Sequence, residues 1–298
     1  MKERILNIET VHQCNCCLGC KTLHPLVSVI DLSKSNLEQQ IIKFDFYTIL
    51  MMEGEIDDVL YGRKYYDYSN ASLVFLTPGE SIKINKSKAL PSKGWLLAFH
   101  PDLISQTSLG EHIKDYSFFF YNPEEALHLS QREKAKAVEC ICNIEEELRH
   151  AIDCHSQILI SRYIELLLDH CNRFYERQFI PRCEANKKIM KKTDVLLKDY
   201  ILSGKLKYNT SPSLGYCAKI LQLSSHYFND LLKFESGKNI DEYFESKRLE
   251  MAKSMLLDSN NTVSVVTEKL GYPNIRYFSR LFKRITGVAP NNYRLSQN

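Results

Sequence analysis

The carboxy-terminal third of the chain repeats itself, and this internal repeat constrains the fold more than any other feature. Tyr227-Phe228 recurs as Tyr277-Phe278, so the two copies are offset by 50 residues. Further pairs recur at the same offset: Ser224 and Asn274, Leu231-Leu232 and Leu281-Phe282, Lys233 and Lys283, Gly237 and Gly287, and Tyr243 and Tyr293. Because aromatic, capping, basic and helix-ending positions recur in phase, this region contains two copies of one structural unit.

Each copy predicts two short helices joined by a tight turn. In the first copy, residues 214–221 are predicted to form a helix, and Ser224 is predicted to cap a second helix that stops at Gly237. The second copy has the equivalent segments: residues 263–270, the cap Asn274 and the helix-ending Gly287. Such a pair of helices is a helix-turn-helix, and the second helix of the pair can enter the major groove of DNA.

A connecting helix is predicted between the two units, over residues 241–257. At a rise of 1.5 Å per residue it would be about 25 Å long. Successive major grooves on one side of DNA are about 34 Å apart. A connecting helix of this length therefore allows one chain to read two successive grooves.

The second helix of each unit separates into an apolar and a polar face. The apolar positions are predicted to pack inward: Tyr227, Phe228, Leu231 and Leu232 in the first unit, and Tyr277, Phe278, Leu281 and Phe282 in the second. The outward positions are predicted to be Ser225, His226, Asn229, Asp230 and Lys233 in the first unit, and Arg276, Ser279, Arg280, Lys283 and Arg284 in the second.

These segments resemble the AraC/XylS family of bacterial transcription regulators. The resemblance rests on LSSHYFNDLLKFESGKNIDEYFESKRLEMAKSMLL (223–257) and GYPNIRYFSRLFKRITGVAPNNYR (271–294), and it extends over roughly residues 190–296. It implies an amino-terminal sensing domain of the cupin-like β-barrel type, followed by helices that often dimerise. It also implies RNA polymerase as a partner, with activation as the commoner outcome.

The resemblance, together with the outward faces, assigns the DNA contacts. The predicted base-reading residues are Ser225, His226, Asn229, Asp230, Ile275, Arg276, Ser279 and Arg280. The predicted phosphate-contacting residues are Ser224, Lys233, Asn274, Lys283 and Arg284. Arg276 and Arg280 can each donate two hydrogen bonds to guanine, and Asn229 can read adenine. Asp230 departs from the basic or neutral residue that is commoner in the family, so the first unit is expected to contribute less affinity.

The charge distribution supports a nucleic-acid partner. Residues 187–298 contain 19 Lys and Arg against 10 Asp and Glu, whereas residues 1–186 contain 20 against 26. A basic module joined to an acidic remainder is typical of a DNA-binding domain attached to another domain. The length of 298 residues suits two domains, which we predict over residues 1–182 and 187–298.

The amino-terminal half predicts strands followed by a helical pair. Short β-rich runs separated by turn signals occupy residues 26–30, 41–50, 71–76 and 94–99. Two amphipathic helices follow, one starting at Ser130 and the other predicted to bury Leu159, Tyr163, Leu166, Leu167, Cys171 and Phe174. The fold class is therefore α+β: an antiparallel, cupin-like β-barrel with a helical pair, then an all-α domain of two helix-turn-helix units joined by a connecting helix.

Four of the ten cysteines lie close together: Cys14, Cys16, Cys17 and Cys20. Thiolates at this density could bind zinc, a soft metal or an arsenical, or could oxidise reversibly. They could equally be separate small apolar residues near a chain terminus. Their spacing matches no paired C-x₂-C zinc site, so we predict no metal site and keep a thiol-based metal or redox sensor as the alternative function.

Other functions find little support in the sequence. Residues 40–100 contain a single histidine, His100, so the histidine set of a metal-dependent cupin enzyme is missing. A DNA-repair regulator that accepts methyl groups on a zinc-bound cysteine would need a particular pairing of cysteines, and this sequence does not contain it. We expect no enzymatic activity and no cofactor. With neither a signal peptide nor a membrane-spanning run, the prediction is a cytoplasmic homodimer that binds double-stranded DNA under the control of a small-molecule effector, whose binding residues stay unassigned.

Overall fold

The computed structural model of the protein describes residues 5–34, 41–53, 62–83, 93–207, 211–258 and 260–297. The protein is α+β and divides into two compact units, Met1–Arg182 and Cys183–Asn298. Every strand of the described residues lies in the amino-terminal unit, and the described part of the carboxy-terminal unit is helical. Each unit has its own hydrophobic core.

The amino-terminal unit has eight strands and five α-helices among its described residues. The strands are β1 (Ile5–Ile8), β2 (Val27–Asp31), β3 (Ile41–Phe44), β4 (Tyr47–Met52), β5 (Ala71–Leu76), β6 (Glu80–Lys83), β7 (Gly94–Phe99) and β8 (Leu127–Leu129). The helices are α1 (Val11–Cys17), α2 (Pro101–Ile104), α3 (Ser108–His112), α4 (Gln131–Glu147) and α5 (Ser156–Phe179). The predicted strands at 71–76 and 94–99 are confirmed, and the one at 26–30 is shifted by one residue.

The strand predicted over residues 41–50 is two strands, β3 and β4. The chain bends at Asp45-Phe46, where Phe46 is fully buried and its ring centroid lies 5.5 Å from that of Phe44. Asp45 is partly exposed at this bend, and its carboxylate lies 3.4 Å from the Lys43 ammonium. The β-rich composition on both sides of Asp45 therefore predicted one strand where the structure has two.

The strands form two sheets. The larger sheet is antiparallel with the order β2-β7-β4-β5-β8, and it pairs Leu50 of β4 with Leu96 of β7 and Val74 of β5. The smaller sheet has the order β1-β3-β6. Within it β1 runs parallel to β3, which departs from the antiparallel arrangement predicted from the sequence.

The larger sheet is the middle layer of three. One face carries Leu50 and Met52 and packs against the smaller sheet and α1, in a core that includes Ile42 and Phe44. The opposite face carries Ile49 and packs against the helices. Both faces of β4 are thus buried, which explains why its residues from Ile49 to Met52 are all apolar instead of alternating.

A closed barrel was expected, and among the described residues the strand pairing leaves the two sheets separate. They are stacked through buried side chains, and the space between them is occupied by apolar groups. The α+β class is confirmed, but these residues show two packed sheets in place of a single closed one.

The predicted helical pair is present as α4 and α5. α4 begins after Ser130, whose Oγ accepts from the backbone N–H of Glu133 while the Glu133 carboxylate accepts from the N–H of Ser130. Such a reciprocal capping box is a strong helix-start signal, and the predicted start at Ser130 is confirmed. Asp153 stabilises the start of α5 by accepting from the N–H groups of His155 and Ser156, which lowers the pKa of its carboxyl group.

The face that α5 buries differs from the predicted face. The buried apolar positions are Ile160, Ile164, Leu167, Leu168, Cys171, Tyr175 and Phe179, so the predictions for Leu167 and Cys171 are confirmed. Leu159 and Leu166 were predicted to be inward, but they remain 39% and 44% exposed. The apolar stripe is turned by one residue because α5 carries apolar side chains on more than one side, and only packing against the sheet selects between them.

The carboxy-terminal unit contains α6 (Cys183–Leu202), α7 (Leu214–Leu221), α8 (Ser225–Ser236), α9 (Ile240–Leu257), α10 (Val263–Lys269), α11 (Ile275–Thr286) and α12 (Pro290–Gln297). The aromatic side chains Phe228, Phe244, Phe278 and Phe282 are buried in one core, which α6 to α11 build together. The predicted connecting helix is confirmed as α9. None of the helices in the described segments of the chain has the length and apolar character that crossing a membrane requires.

Candidate nucleic-acid interface

The first helix-turn-helix is formed by α7 and α8. Ser213 caps α7 by accepting from a backbone N–H of its first turn at 3.2 Å. Gln222 then adopts a left-handed conformation with φ 60°, which ends α7 and starts the turn. Ser224 caps α8 by accepting from the N–H of Tyr227 at 3.1 Å, and Gly237, with φ 67°, ends it. The predicted helix, cap and stop are confirmed.

The second helix-turn-helix, α10 and α11, uses the same devices with a different turn residue. Gly271 has φ 68°, and a side chain on its Cα would collide with Leu206. Only glycine fits there, because both the backbone angle and the space exclude a Cβ. Asn274 Oδ1 accepts from the N–H of Tyr277 at 2.8 Å, and Gly287, with φ 82°, ends α11.

The apolar faces of both second helices point into the core, with one exception. Tyr227, Phe228, Leu231 and Leu232 are all buried, and so are Phe278, Leu281 and Phe282. Tyr277 was predicted to be inward, yet 47% of it is exposed, whereas its counterpart Tyr227 is only 4% exposed. The repeat predicted the same environment for both tyrosines, and at Tyr277 that prediction is wrong.

A difference in the turn accounts for this exception. The residue equivalent to the exposed Gln222 is Tyr272, which is only 6% exposed in the second unit. The Tyr272 ring lies 5.0 Å from the ring of Phe278 and 6.4 Å from that of Tyr277. We attribute the exposure of Tyr277 to Tyr272, whose buried ring lies beside it and has only the exposed Gln222 as its counterpart in the first unit.

The predicted base-reading residues of α8 are only partly accessible. His226 is exposed, whereas Ser225, Asn229 and Asp230 are half-buried. Asn229 Nδ2 donates to Asp230 Oδ1 at 3.3 Å. The second Nδ2 hydrogen and Oδ1 of Asn229 stay available for a base.

The equivalent residues of α11 are more open. Ile275, Arg276 and Arg280 are exposed, and Ser279 is half-buried. Within the described chain, the two arginines have no hydrogen-bond or ion-pair partner. Tyr277, Arg280, Leu281 and Arg284 surround a shallow hollow of about 300 Å³. Tyr277 is therefore part of the candidate interface. The sequence repeat alone could not predict that Tyr277 is exposed where Tyr227 is buried.

The predicted phosphate-contacting residues fall into two groups. Lys233, Lys283 and Arg284 are exposed near the ends of their helices. Ser224 is almost buried and its hydroxyl is used as the cap of α8, whereas Asn274 caps α11 but stays exposed.

The connecting helix α9 makes polar contacts with α6 and with the turn of the second helix-turn-helix. Its 18 residues span about 27 Å. The Arg248 guanidinium lies 3.9 Å from the ring centroid of Tyr272 and donates to the carbonyl oxygen of Leu270 at 3.1 Å. The hydroxyls of Tyr243 and Tyr272 donate to the carboxylates of Asp194 and Glu245 at 2.7 and 2.8 Å. The pKa of both tyrosines is raised mainly by burial and further by these negatively charged carboxylates.

The four clustered cysteines of the amino-terminal unit do not converge on one point. Cys14 is buried between the sheets, and burial, followed by the nearby Cys17 and Cys20, raises the pKa of its thiol to about 12. Cys16 is exposed, and Cys17 and Cys20 are half-buried. Across the described residues, no three His, Cys, Asp or Glu side chains are arranged to hold a metal ion.

Comparison with known proteins bears on the carboxy-terminal unit. Residues 217–296 match the family described as a helix-turn-helix domain. The HTH-type transcriptional regulator YobQ of Bacillus subtilis is 39% identical over 77 residues, which are 26% of this chain and 32% of YobQ. The raffinose operon transcriptional regulatory protein RafR of Pediococcus pentosaceus is 34% identical over 89 residues, 30% of this chain and 32% of RafR.

One solved structure gives a weaker likeness over a similar share of the chain. A transcriptional regulator of Chromobacterium violaceum with an AraC-type DNA-binding domain is 15% identical, with a TM-score of 0.30, over 36% of this chain and 92% of that one. This chain covers about a third of the length of YobQ and of RafR. These two matches therefore support the helix-turn-helix units and give no information about the amino-terminal unit.

Proposed function

We propose that the protein is a sequence-specific DNA-binding transcription regulator of the AraC/XylS type, because its carboxy-terminal region matches the helix-turn-helix domain family and regulators such as YobQ. In this proposal α8 and α11 are the recognition helices. The amino-terminal unit is the regulatory and dimerisation domain, and its packed sheets are compatible with a cupin-like sensor. An effector that prefers one arrangement of the DNA-binding units would shift the population toward it, and RNA polymerase would be the partner in activation.

The outer face of α11 carries the proposal. Arg276 and Arg280 are one helical turn apart and exposed, and the described part of the chain offers neither of them an ionic partner. A free guanidinium can donate two parallel hydrogen bonds to the O6 and N7 atoms of guanine. Lys283 and Arg284 follow on the next turn, where they would neutralise backbone phosphates.

The first unit is proposed to contribute less to binding. Asp230 carries a negative charge on the outer face of α8, and Asn229 already donates to it. An acid near phosphates opposes binding unless it accepts a hydrogen bond from a cytosine amino group. The outer face of α8 therefore presents less positive charge to DNA than the outer face of α11, which carries Arg276 and Arg280.

Two substitutions on α11 test the proposed roles. Arg280→Ala is expected to cost about 1–3 kcal/mol at the preferred site and to relax preference at one base pair, because a base contact is lost. Lys283→Ala is expected to weaken binding to all sequences equally and to reduce the salt slope by about 1, because a phosphate contact is lost. Fluorescence anisotropy over a range of salt concentrations measures both effects, on DNA selected from a random library and on random DNA.

Lys114→Ala provides the control, since it removes an exposed positive charge from the amino-terminal unit. Its affinity for both DNAs should equal that of the wild type. If Arg280→Ala lowers affinity by the same factor on selected and on random DNA, Arg280 does not read a base and the proposed role of α11 is wrong.

We further propose that a second copy of the chain covers the exposed side of α5. Leu159 and Leu166 are seven residues apart and therefore lie on one side of the helix, with the half-buried Tyr163 between them. Replacing both leucines by lysine should convert a dimer into a monomer in sedimentation experiments. Leu23→Lys changes a similarly exposed leucine elsewhere and should leave the dimer intact. A double variant that still sediments as a dimer would exclude this interface.

A further inference from the structure

The exposed cysteine of α1 is in contact with a histidine. Cys16 Sγ lies 3.6 Å from Nε2 of His12, which precedes it by one helical turn. This distance is within the hydrogen-bonding range of sulfur, so the imidazole can accept the thiol proton. Both side chains are exposed to solvent, so a small molecule can reach the sulfur atom.

A chain of hydrogen bonds holds the imidazole in place. Its Nδ1 lies 2.8 Å from Thr22 Oγ1, and Asn15 Nδ2 donates to the same oxygen at 3.2 Å. Asn15 is fully buried, and its Oδ1 accepts from the hydroxyl of Ser28 on β2 at 2.6 Å. The hydroxyl oxygen of Thr22 has two lone pairs, so it can accept from both Asn15 and an Nδ1–H of His12. That tautomer leaves Nε2 free to take the proton of Cys16.

The other three cysteines lack this arrangement. Cys14 is two residues from Cys16, and positions two apart on a helix point in nearly opposite directions. Its thiol faces the core and is held in the protonated form by burial. Cys17 and Cys20 are packed at the edge of the same core, and Cys20 donates its thiol hydrogen to the carbonyl oxygen of Leu18. Of the four thiols, only that of Cys16 is both accessible and in contact with a proton acceptor, and the other three are packed against the core.

We propose that Cys16 is a modification site that reacts with small-molecule disulfides through thiol–disulfide exchange. His12 takes the thiol proton, and the Cys16 thiolate attacks one sulfur of the disulfide RSSR. A bond forms between Cys16 Sγ and that sulfur as the original S–S bond breaks, and the departing RS⁻ takes the proton from His12. The products are the mixed disulfide of Cys16 and one molecule of RSH, so the small disulfide is the oxidant and Cys16 is oxidised.

This inference stands independently of the proposed DNA binding, because it concerns only side chains around α1. In that case the amino-terminal unit would respond to chemical modification of Cys16 instead of to a ligand bound in a pocket. The adduct would separate Cys16 Sγ from His12 and place a new group beside the contact with Thr22.

The test measures which cysteine reacts first. The reduced full-length chain is mixed with oxidised glutathione, and the mixed disulfide at each cysteine is followed by peptide mass spectrometry. Cys154 is the internal reference, because it is exposed and no ring nitrogen among the described residues contacts it. Cys16 should react at least about tenfold faster than Cys154, as expected for a thiol with a positioned base.

Two variants separate the role of the base from simple exposure. His12→Ala should bring the rate of Cys16 to within about twofold of the Cys154 rate, because the proton acceptor is gone. Thr22→Val, which removes only the hydroxyl that orients the imidazole, should produce an intermediate rate. His12 is exposed, and the fluorescence of Trp95 in the same unit reports whether the variants stay folded. Equal rates at Cys16 and Cys154 in the wild type, or a Cys16 rate unchanged in His12→Ala, would overturn the proposal whatever the protein does with DNA.

Discussion

The two halves of the repeat allow one substitution to be compared in two environments. Tyr227 and Tyr277 occupy equivalent positions, but they are 4% and 47% exposed. Replacing each by alanine changes the same atoms of the same residue type at the same point of a helix. The difference between the two variants therefore measures burial and not the chemistry of tyrosine.

The expected magnitudes follow from that burial. Truncating a buried aromatic side chain costs about 3–5 kcal/mol, because transfer energy is lost and a cavity remains. Tyr277 keeps about half of its surface in water and opens to solvent when truncated, so its loss should cost only about 1 kcal/mol. The predicted gap between the variants is therefore about 2–4 kcal/mol.

Hydrogen-exchange mass spectrometry of the full chain provides the assay, because peptides from α8 and α11 report the carboxy-terminal unit alone. In Tyr227→Ala, protected amides of α8 should exchange about two to four orders of magnitude faster, against about fivefold for α11 amides in Tyr277→Ala. Trp95 fluorescence should be unchanged in both, since it reports the other unit. Should Tyr227→Ala unfold the unit, Tyr227→Leu supplies a milder version. Equal acceleration in the two alanine variants would refute the argument from Tyr272.

Three further predictions concern single interactions. Arg177 donates two hydrogen bonds of 2.9 Å to the carboxylate of Glu133. Arg177→Met should therefore destabilise the amino-terminal unit by about 2–4 kcal/mol, measured by urea unfolding with Trp95 fluorescence as the signal. A destabilisation below about 1 kcal/mol would contradict this prediction. Burial raises the pKa of the Cys14 thiol to about 12, so this thiol ionises in the unfolded chain before it ionises in the folded one as the pH rises. Between about pH 9 and 11, the free energy of unfolding of the wild type should therefore fall by about 1.4 kcal/mol per pH unit more than that of Cys14→Ala. Parallel plots of unfolding free energy against pH for the two proteins would refute this. Asn274→Ala should cost about 1 kcal/mol by hydrogen exchange at α11, and Asn274→Gly only a few tenths; equal losses would exclude the cap as the cause.

The carboxy-terminal helices could be predicted from the sequence because their limits depend on local signals. Ser224 and Asn274 accept from backbone N–H groups three residues ahead, and Gly237 and Gly287 take the left-handed angle that ends a helix. These interactions involve residues within one turn of each other, so a short stretch of sequence contains all the partners. The basic outer face of α11 follows from the same local geometry.

Other features depended on tertiary packing. Both 159/163/166 and 160/164/167 are apolar stripes on α5, and contact with the sheet decides that the second is buried. The parallel pairing of β1 with β3 joins segments distant in sequence, and the contact between Cys16 and His12 matters only because buried Asn15 fixes the histidine's partner. Tyr277 is exposed because Tyr272 occupies the core beside it. In each case competing side chains satisfy the same local pattern, and the choice between them is made by which one leaves the least unfilled space and the fewest unpaired polar groups when distant elements pack together.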